Sequence, residues 1–153
     1  MQMSAGDQKS YPKLTSYVKN ALPKVADVGA IASAINTIGQ LNLSKLRAAL
    51  KFGDGPMIKI TALSLGTYGE FTPDIGSNEV KINVKMADSF EKGNGLVPSG
   101  KGKVYLVGVV LLHELVHWGD DQDGVDRPGE EGKEFERKVY GTPPTDTLHA
   151  GQS

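Results

Sequence analysis

No cysteine occurs among the 153 residues, which excludes disulfides, thiolate metal sites and cysteine nucleophiles together. Any metal must therefore sit on His, Asp, Glu or carbonyl ligands. The absence of thiols is compatible with export but does not assign a compartment. No apolar run approaches the roughly 20 residues of a membrane span, and the polar stretch 1–10 lacks the apolar segment of a signal peptide. A strong charge of one sign is also missing. The net charge is −1, spread unevenly: residues 1–60 hold eight Lys or Arg against three acids, and residues 114–136 hold nine acids against two bases. Phosphates would be repelled from that acidic part, which argues against a nucleic-acid ligand.

The chain is 39% hydrophobic and 23% charged, with 19 Gly and 8 Pro, the composition of a loop-rich globular protein. A chain of this size buries roughly two-thirds of its unfolded surface, enough for one core without covalent staples. The expected organisation is a flexible lead-in over 1–10, one domain over 11–141 and a flexible tail over 142–153, in a monomer.

Residues 11–52 read as helical, with Leu14, Val18 and Leu22 on one face, Asp27 and Ser44 as caps, and Gly39 and Gly53 as stops. After the Gly53-Asp54-Gly55-Pro56 turn the period changes. Ile58, Ile60 and Ala62, then Val80, Ile82 and Val84, alternate with polar residues as half-exposed strands do, predicting a small, mainly antiparallel sheet. Between them, 66–78 reads as loop with a short strand near Tyr68 to Phe71. Residues 86–92 read as a helical turn or two and 93–102 as a flexible loop. Lys103 to Trp118 reads as a helix whose first half is apolar all round, and hence central. Glu130 to Tyr140 reads as a second helix, stopped by Gly141 and Pro143.

The first of these two helices ends in His113-Glu114-Leu115-Val116-His117. Helical residues four apart share a face at about 5–6 Å, so both imidazoles can reach one ion at the nitrogen bond length of about 2.0–2.1 Å that zinc prefers. Glu114 flanks that face without pointing at the metal, where its carboxylate can take a proton from water and return it to a leaving amine. With only three His and eight Glu in the chain, an accidental His-Glu-x-x-His arises on the order of once in a few hundred such sequences. A hydrogen-bonded structural pair of histidines is the competing reading, and an idle pair at the end of a buried helix is costly.

Catalytic zinc takes three protein ligands and leaves one position open. His149 lies far along the tail. Asp120, Asp121, Asp123 and Asp126 are close in sequence, but the short-spacer pattern wants Gly three residues after the second His, and Gly119 is two after. A Glu on the following helix fits better. Glu136 is the candidate, with Glu134 its rival. Tyr140, four residues beyond Glu136, could reach a developing oxyanion, or could be an ordinary packed tyrosine.

The runs HELVHWGDDQDG and EEGKEFERKVYG, and more loosely YPKLTSYVKNALPK, FGDGP and NEVKINVKMADSFEKG upstream, resemble the metallopeptidase toxin domains of bacterial polymorphic toxin systems. The likeness covers most of residues 10–141. Its most specific pieces are the zinc motif with Trp118-Gly119-Asp120, and Phe135-Glu136 with Tyr140-Gly141. The resemblance implies an α+β, zincin-like fold, with a small antiparallel-rich sheet packed on the motif helix, N-terminal helices, and a following helix supplying Glu136 in gluzincin fashion. It further implies a zinc peptidase delivered into a target bacterial cell by a specialised secretion system, a protein or peptide substrate, and a cognate immunity protein.

A processing peptidase with the same chemistry but no antagonism of other cells is one alternative. A non-catalytic metal-binding module is another: Asp121, Asp123, Gly124 and Glu130 fall on a calcium-loop template, but Gly119 stands where Asp is needed and Pro128 intrudes. For a peptide substrate, residues 79–84 are the expected edge strand.

Overall fold

A computed structural model describes residues 1–73, 78–99, 102–122, 130–141 and 143–144. The fold is mixed α/β with small sheets. Strands β1 (Gln2–Met3), β2 (Met57–Thr61), β3 (Gly69–Glu70) and β4 (Glu79–Asn83) form one sheet in the order β1-β2-β4-β3. The β1/β2 and β2/β4 ladders are parallel, and only β3 runs antiparallel, with Gly69 opposite Ile82 and Glu70 opposite Lys81. The prediction of a mainly antiparallel sheet therefore fails for this sheet. Alternation reports which faces are buried, not strand direction, and the helical crossovers between β1 and β2 permit parallel pairing. A second, antiparallel pair joins β5 (Leu96–Ser99) to β6 (Gly102–Tyr105), in a stretch expected as loop and helix start.

Among the described residues seven α-helices accompany the sheets: α1 (Ala5–Ser10), α2 (Pro12–Ser16), α3 (Gly29–Gly39), α4 (Leu43–Leu50), α5 (Val84–Glu91), α6 (Leu106–Asp121) and α7 (Glu131–Tyr140). A π-turn (Tyr17–Ala21) and a 3₁₀ stretch (Leu22–Asp27) link α2 to α3. Residues 1–10, expected as a flexible lead-in, thus contribute a strand and a helix, with Met1 and Met3 buried in the core. Residue 142 and the tail from 145, including His149, lie outside the described residues, as do Asp123, Gly124, Asp126 and Pro128.

Helix α6 is the axis of the core. Val107, Val110, Leu111, Leu112, Leu115 and Val116 are all buried, as an apolar-all-round helix must be. It contacts α3, α7, β3 and β4. Two glycines make the closest crossing possible. A Cβ on Gly39 would stand 3.2 Å from the Val116 backbone, and one on Gly119 would collide with the Gly39 carbonyl and Leu41. Gly39 was expected to stop α3. Instead it is the last helical residue, and Gln40 takes the left-handed cap conformation at φ 56°. Gly119, out of place for a short-spacer ligand pattern, serves this crossing.

The expected caps also shift. Asn42 caps α4 by accepting from the Lys45 amide, so Ser44 lies inside the helix, and Asp27 pairs with Arg47 at 2.8 Å. On α7, Phe135 is fully buried and anchors the helix to the core. No helix among the described residues is long and apolar enough to cross a membrane.

Candidate active site

His113, Glu114 and His117 lie on the C-terminal half of α6, and α7 crosses back so that its first residues face them. The crossing is tight: a Cβ on Gly132 would overlap the His113 imidazole. The two imidazoles stand 5.2 Å apart between ring centroids, which is the i, i+4 spacing the sequence implies. Both are mostly shielded, with side chains 12% and 17% exposed.

Each ring nitrogen meets a carboxylate from α7 or the residue preceding it. Glu130 Oε1 lies 3.3 Å from both His113 Nε2 and His117 Nε2. Glu136 Oε2, fully buried, lies 3.0 Å from His113 Nδ1. Glu131 Oε2, also buried, lies 3.1 Å from His117 Nδ1, but off the direction of a proper hydrogen bond, which leaves that oxygen without one. A carboxylate accepts, so the Glu136 contact favours the tautomer with the proton on Nδ1, which leaves the Nε2 lone pair for a cation. Lys133 Nζ stands 3.7 Å from the same Glu136 oxygen.

The set His113, His117 and Glu130 therefore converges, with ligand atoms all within 4.8 Å of one another. Glu136, expected as the third ligand, faces the opposite edge of His113. Glu134, its rival, is exposed on the outer side of α7. The position taken by Glu130 depends on α7 starting directly beneath the two rings, and no periodicity in the sequence reports that. The acidic run was the available signal: Glu130 stands among the four Glu at the start of the following helix, but helical pairing with Tyr140 favours Glu136 over it.

Glu114 is buried at 6% exposure. Burial pushes its carboxyl up to about 7; His113 opposes this, while Glu130, Glu70 and Glu136 add to it. Burial alone would lower the His113 pKa, but the Glu136 hydrogen bond and the charges of Glu114, Glu136 and Glu130 outweigh it and raise the value. Four carboxylates around two imidazoles form a pocket whose electrostatics call for a cation.

The cleft over this cluster is walled by β3 and the loop before it. Gly66, Thr67, Tyr68, Gly69 and Val110 line it beside His113, Glu114, Glu130 and Lys133, and Glu70 and Phe71 continue it past His117. Tyr140 is absent from both walls. It packs against Phe135 with ring centroids 6.2 Å apart, and burial is the main cause of its raised hydroxyl pKa, as in a packed tyrosine. Tyr68, overlooked because it sits in a Gly-rich loop, holds the cleft position instead. Strand β3 is the sheet edge on this side, whereas β4, expected there, is central. Its alternation reflects one buried face, not a free edge. A two-residue strand starting at Gly carries too little pattern to be ranked as an edge.

A family model described as Metallopeptidase toxin 3 matches residues 7–141. No curated protein matches the chain, and no solved structure does.

Proposed function

Because the chain belongs to the metallopeptidase toxin 3 family, which implies a metal-dependent protease acting as a toxin, we propose that it is a zinc-dependent peptide-bond hydrolase of the zincin type and an interbacterial effector. Zinc would be held by His113 Nε2, His117 Nε2 and Glu130. The carrying observation is the pair of 3.3 Å separations from Glu130 Oε1 to the two Nε2 atoms. Both separations are short enough for one ion to bond the paired atoms at about 2.0–2.1 Å, and all three ligand atoms lie within 4.8 Å of one another, so the set could hold a single ion. The donor set, two imidazoles and a carboxylate without thiolate, also suits zinc.

When bound, zinc supplies Lewis-acid polarisation of the scissile carbonyl and acidifies a water toward a pKa of about 7. Glu114 takes the proton of the attacking water and delivers it to the leaving amine, a role that favours a carboxyl near neutrality. Glu136 accepts from the far nitrogen of His113, where it fixes ring orientation and raises ligand basicity, and the Glu131 carboxylate stands beside the far nitrogen of His117. Tyr68 and Lys133, across the cleft from Glu114, are the groups placed to meet a developing oxyanion, in the role first considered for Tyr140. The substrate backbone adds to the outer edge of β3 as a further strand, which lays a peptide bond over His113 and Glu114.

Delivery into a competing bacterial cell and neutralisation by a cognate immunity protein accompany this reading; the family's toxin description supports both. Zinc titration of the wild type, Glu130→Gln and Glu136→Gln tests the ligand set. Glu130→Gln should abolish stoichiometric binding, and Glu136→Gln should weaken it by about 10–100-fold, as loss of an orienting partner does. The reverse ranking would return the third ligand to Glu136. Zinc-free wild type after reconstitution, with His113→Ala behaving identically, would overturn the metal assignment.

A further inference from the structure

A cavity lies beside the cluster of His113, His117 and Glu130. It has a volume of about 350 Å³. Its walls come from the 63–68 loop, α5, the start of α6 and the β5/β6 hairpin, with Leu63, Met86, Phe90, Leu96, Val97 and Val107 supplying most of the apolar lining. Gly66, Thr67 and Tyr68 line this cavity and the cleft alike, so the two adjoin, side by side in the depression over α6.

The floor of the depression is a single stripe of α6. Val107 lies under the apolar cavity, Val110 under the cleft, and Glu114 under the reacting centre. Residues at i, i+3 and i+7 share a helix face. At 1.5 Å per residue, the seven steps from Val107 to Glu114 cover about 10 Å. An extended peptide on β3 advances about 3.3 Å per residue, so the cavity lies about two or three residues from the bond being cut. Its walls are mainly apolar, with Thr67, Asn83, Lys85 and Ser89 among the polar lining, and a mainly apolar pocket of this size favours an apolar occupant.

The rim supports the same occupant. Leu65 is 95% exposed and Leu96 is 49% exposed, and both border the cavity mouth. Leu65 rides on a turn closed by the Thr67 amide donating to the Ser64 carbonyl at 2.9 Å. An apolar residue held bare beside an apolar hole gains by being covered when a ligand enters.

Building on the peptidase reading above, we propose that this cavity is the specificity pocket of the enzyme and takes a large apolar side chain, Leu, Met or Phe, of the peptide substrate within three residues of the scissile bond. Specificity for such a protein is then set by an apolar anchor at a distance, and not at the acidic metal cluster.

The test is cleavage-site profiling of a proteome-derived peptide mixture by the zinc-loaded protein, followed by kcat/KM on matched peptides carrying Leu or Ala at the enriched position. The wild type should show enrichment of Leu, Met or Phe at one position within three residues of the cut, and at least a tenfold preference for Leu over Ala. Ser89→Trp, which fills the cavity from a half-buried position on α5, should bring that ratio toward one with zinc content and thermal melting preserved. Leu65→Ser, at a fully exposed site with no folding role, should lower the ratio in the same direction. Cleavage without apolar enrichment, or enrichment that neither variant changes, overturns the pocket and leaves the peptidase reading standing. Absence of any zinc-dependent cleavage overturns both.

Discussion

Replacing Glu114 by Gln should make the metal-free protein more stable at pH 8 and leave its stability nearly unchanged at pH 4.5. Burial raises the Glu114 pKa from 4.5 to about 7 in the folded protein. A carboxyl shifted upward costs nothing below its unfolded value, where both states are protonated. The cost grows between 4.5 and about 7 and is complete above that, because the folded state must then hold a buried charge. At about 1.4 kcal/mol per tenfold change in proton affinity, the interval corresponds to about 3 kcal/mol. His113, whose folded pKa is raised, adds stability that is present in acid and lost as pH rises through that value. Both groups therefore make the wild type weaken with pH, and the variant removes the Glu114 part together with the share of the His113 shift that the Glu114 charge supplies. The assay is urea unfolding of chelator-treated wild type and Glu114→Gln across pH 4.5 to 8, read as the difference between the two proteins at each pH. A difference that stays flat over that range would refute the reasoning. Zinc should shrink the effect, since a neighbouring dication favours the ionised carboxylate. Zinc-loaded Glu114→Gln should keep its metal but lose about 10²–10⁴-fold in peptide hydrolysis, and its expression in a target bacterium should be tolerated where the wild type is not. Equal toxicity of the two would separate killing from this chemistry.

Three further outcomes follow from the packing. Gly132→Ala should weaken zinc binding by at least tenfold at unchanged helix content, because the new methyl overlaps the His113 ring and turns the imidazole away from Glu130; an unaltered zinc isotherm contradicts that contact. Gly119→Ala should lower stability by about 1–3 kcal/mol, the usual cost of overpacking, since its Cβ meets the Gly39 carbonyl; a melting temperature equal to wild type would show that α3 and α6 can separate freely. Phe135→Ala should cost about 3–5 kcal/mol, given its complete burial between α7 and the core, and denaturant melts that place it under 1 kcal/mol would remove α7 from the cooperative core.

Much of the site was legible from local chemistry. Helical periodicity places His113 and His117 on one face wherever that helix lies, and the apolar residues before them require the helix to be buried. The lack of cysteine fixed the ligand chemistry in advance. The place of Glu114 beside the two imidazoles also follows from position alone, because its angle around the helix is set by the same period.

The choice among Glu130, Glu131, Glu134 and Glu136 was not local. All four have the same chemistry within seven residues, and what separates them is where α7 begins and how it crosses α6. Gly132 sets that crossing by letting the α7 backbone sit on the His113 ring. Glu130 is thereby left over the two Nε2 atoms, Glu136 behind Nδ1 of His113, and Glu134 in solvent. The edge strand was likewise a tertiary decision. Residues 79–83 carry a clear alternating pattern, and that very regularity lets them pair on both sides, with β2 and with β3. The sheet ends at Gly69–Glu70, two residues with no pattern of their own, because only a glycine there clears Val110 and Glu114 on the helix beneath. Side-chain type and spacing determined which groups could do the chemistry, and the packing of one helix against another decided which of them converge.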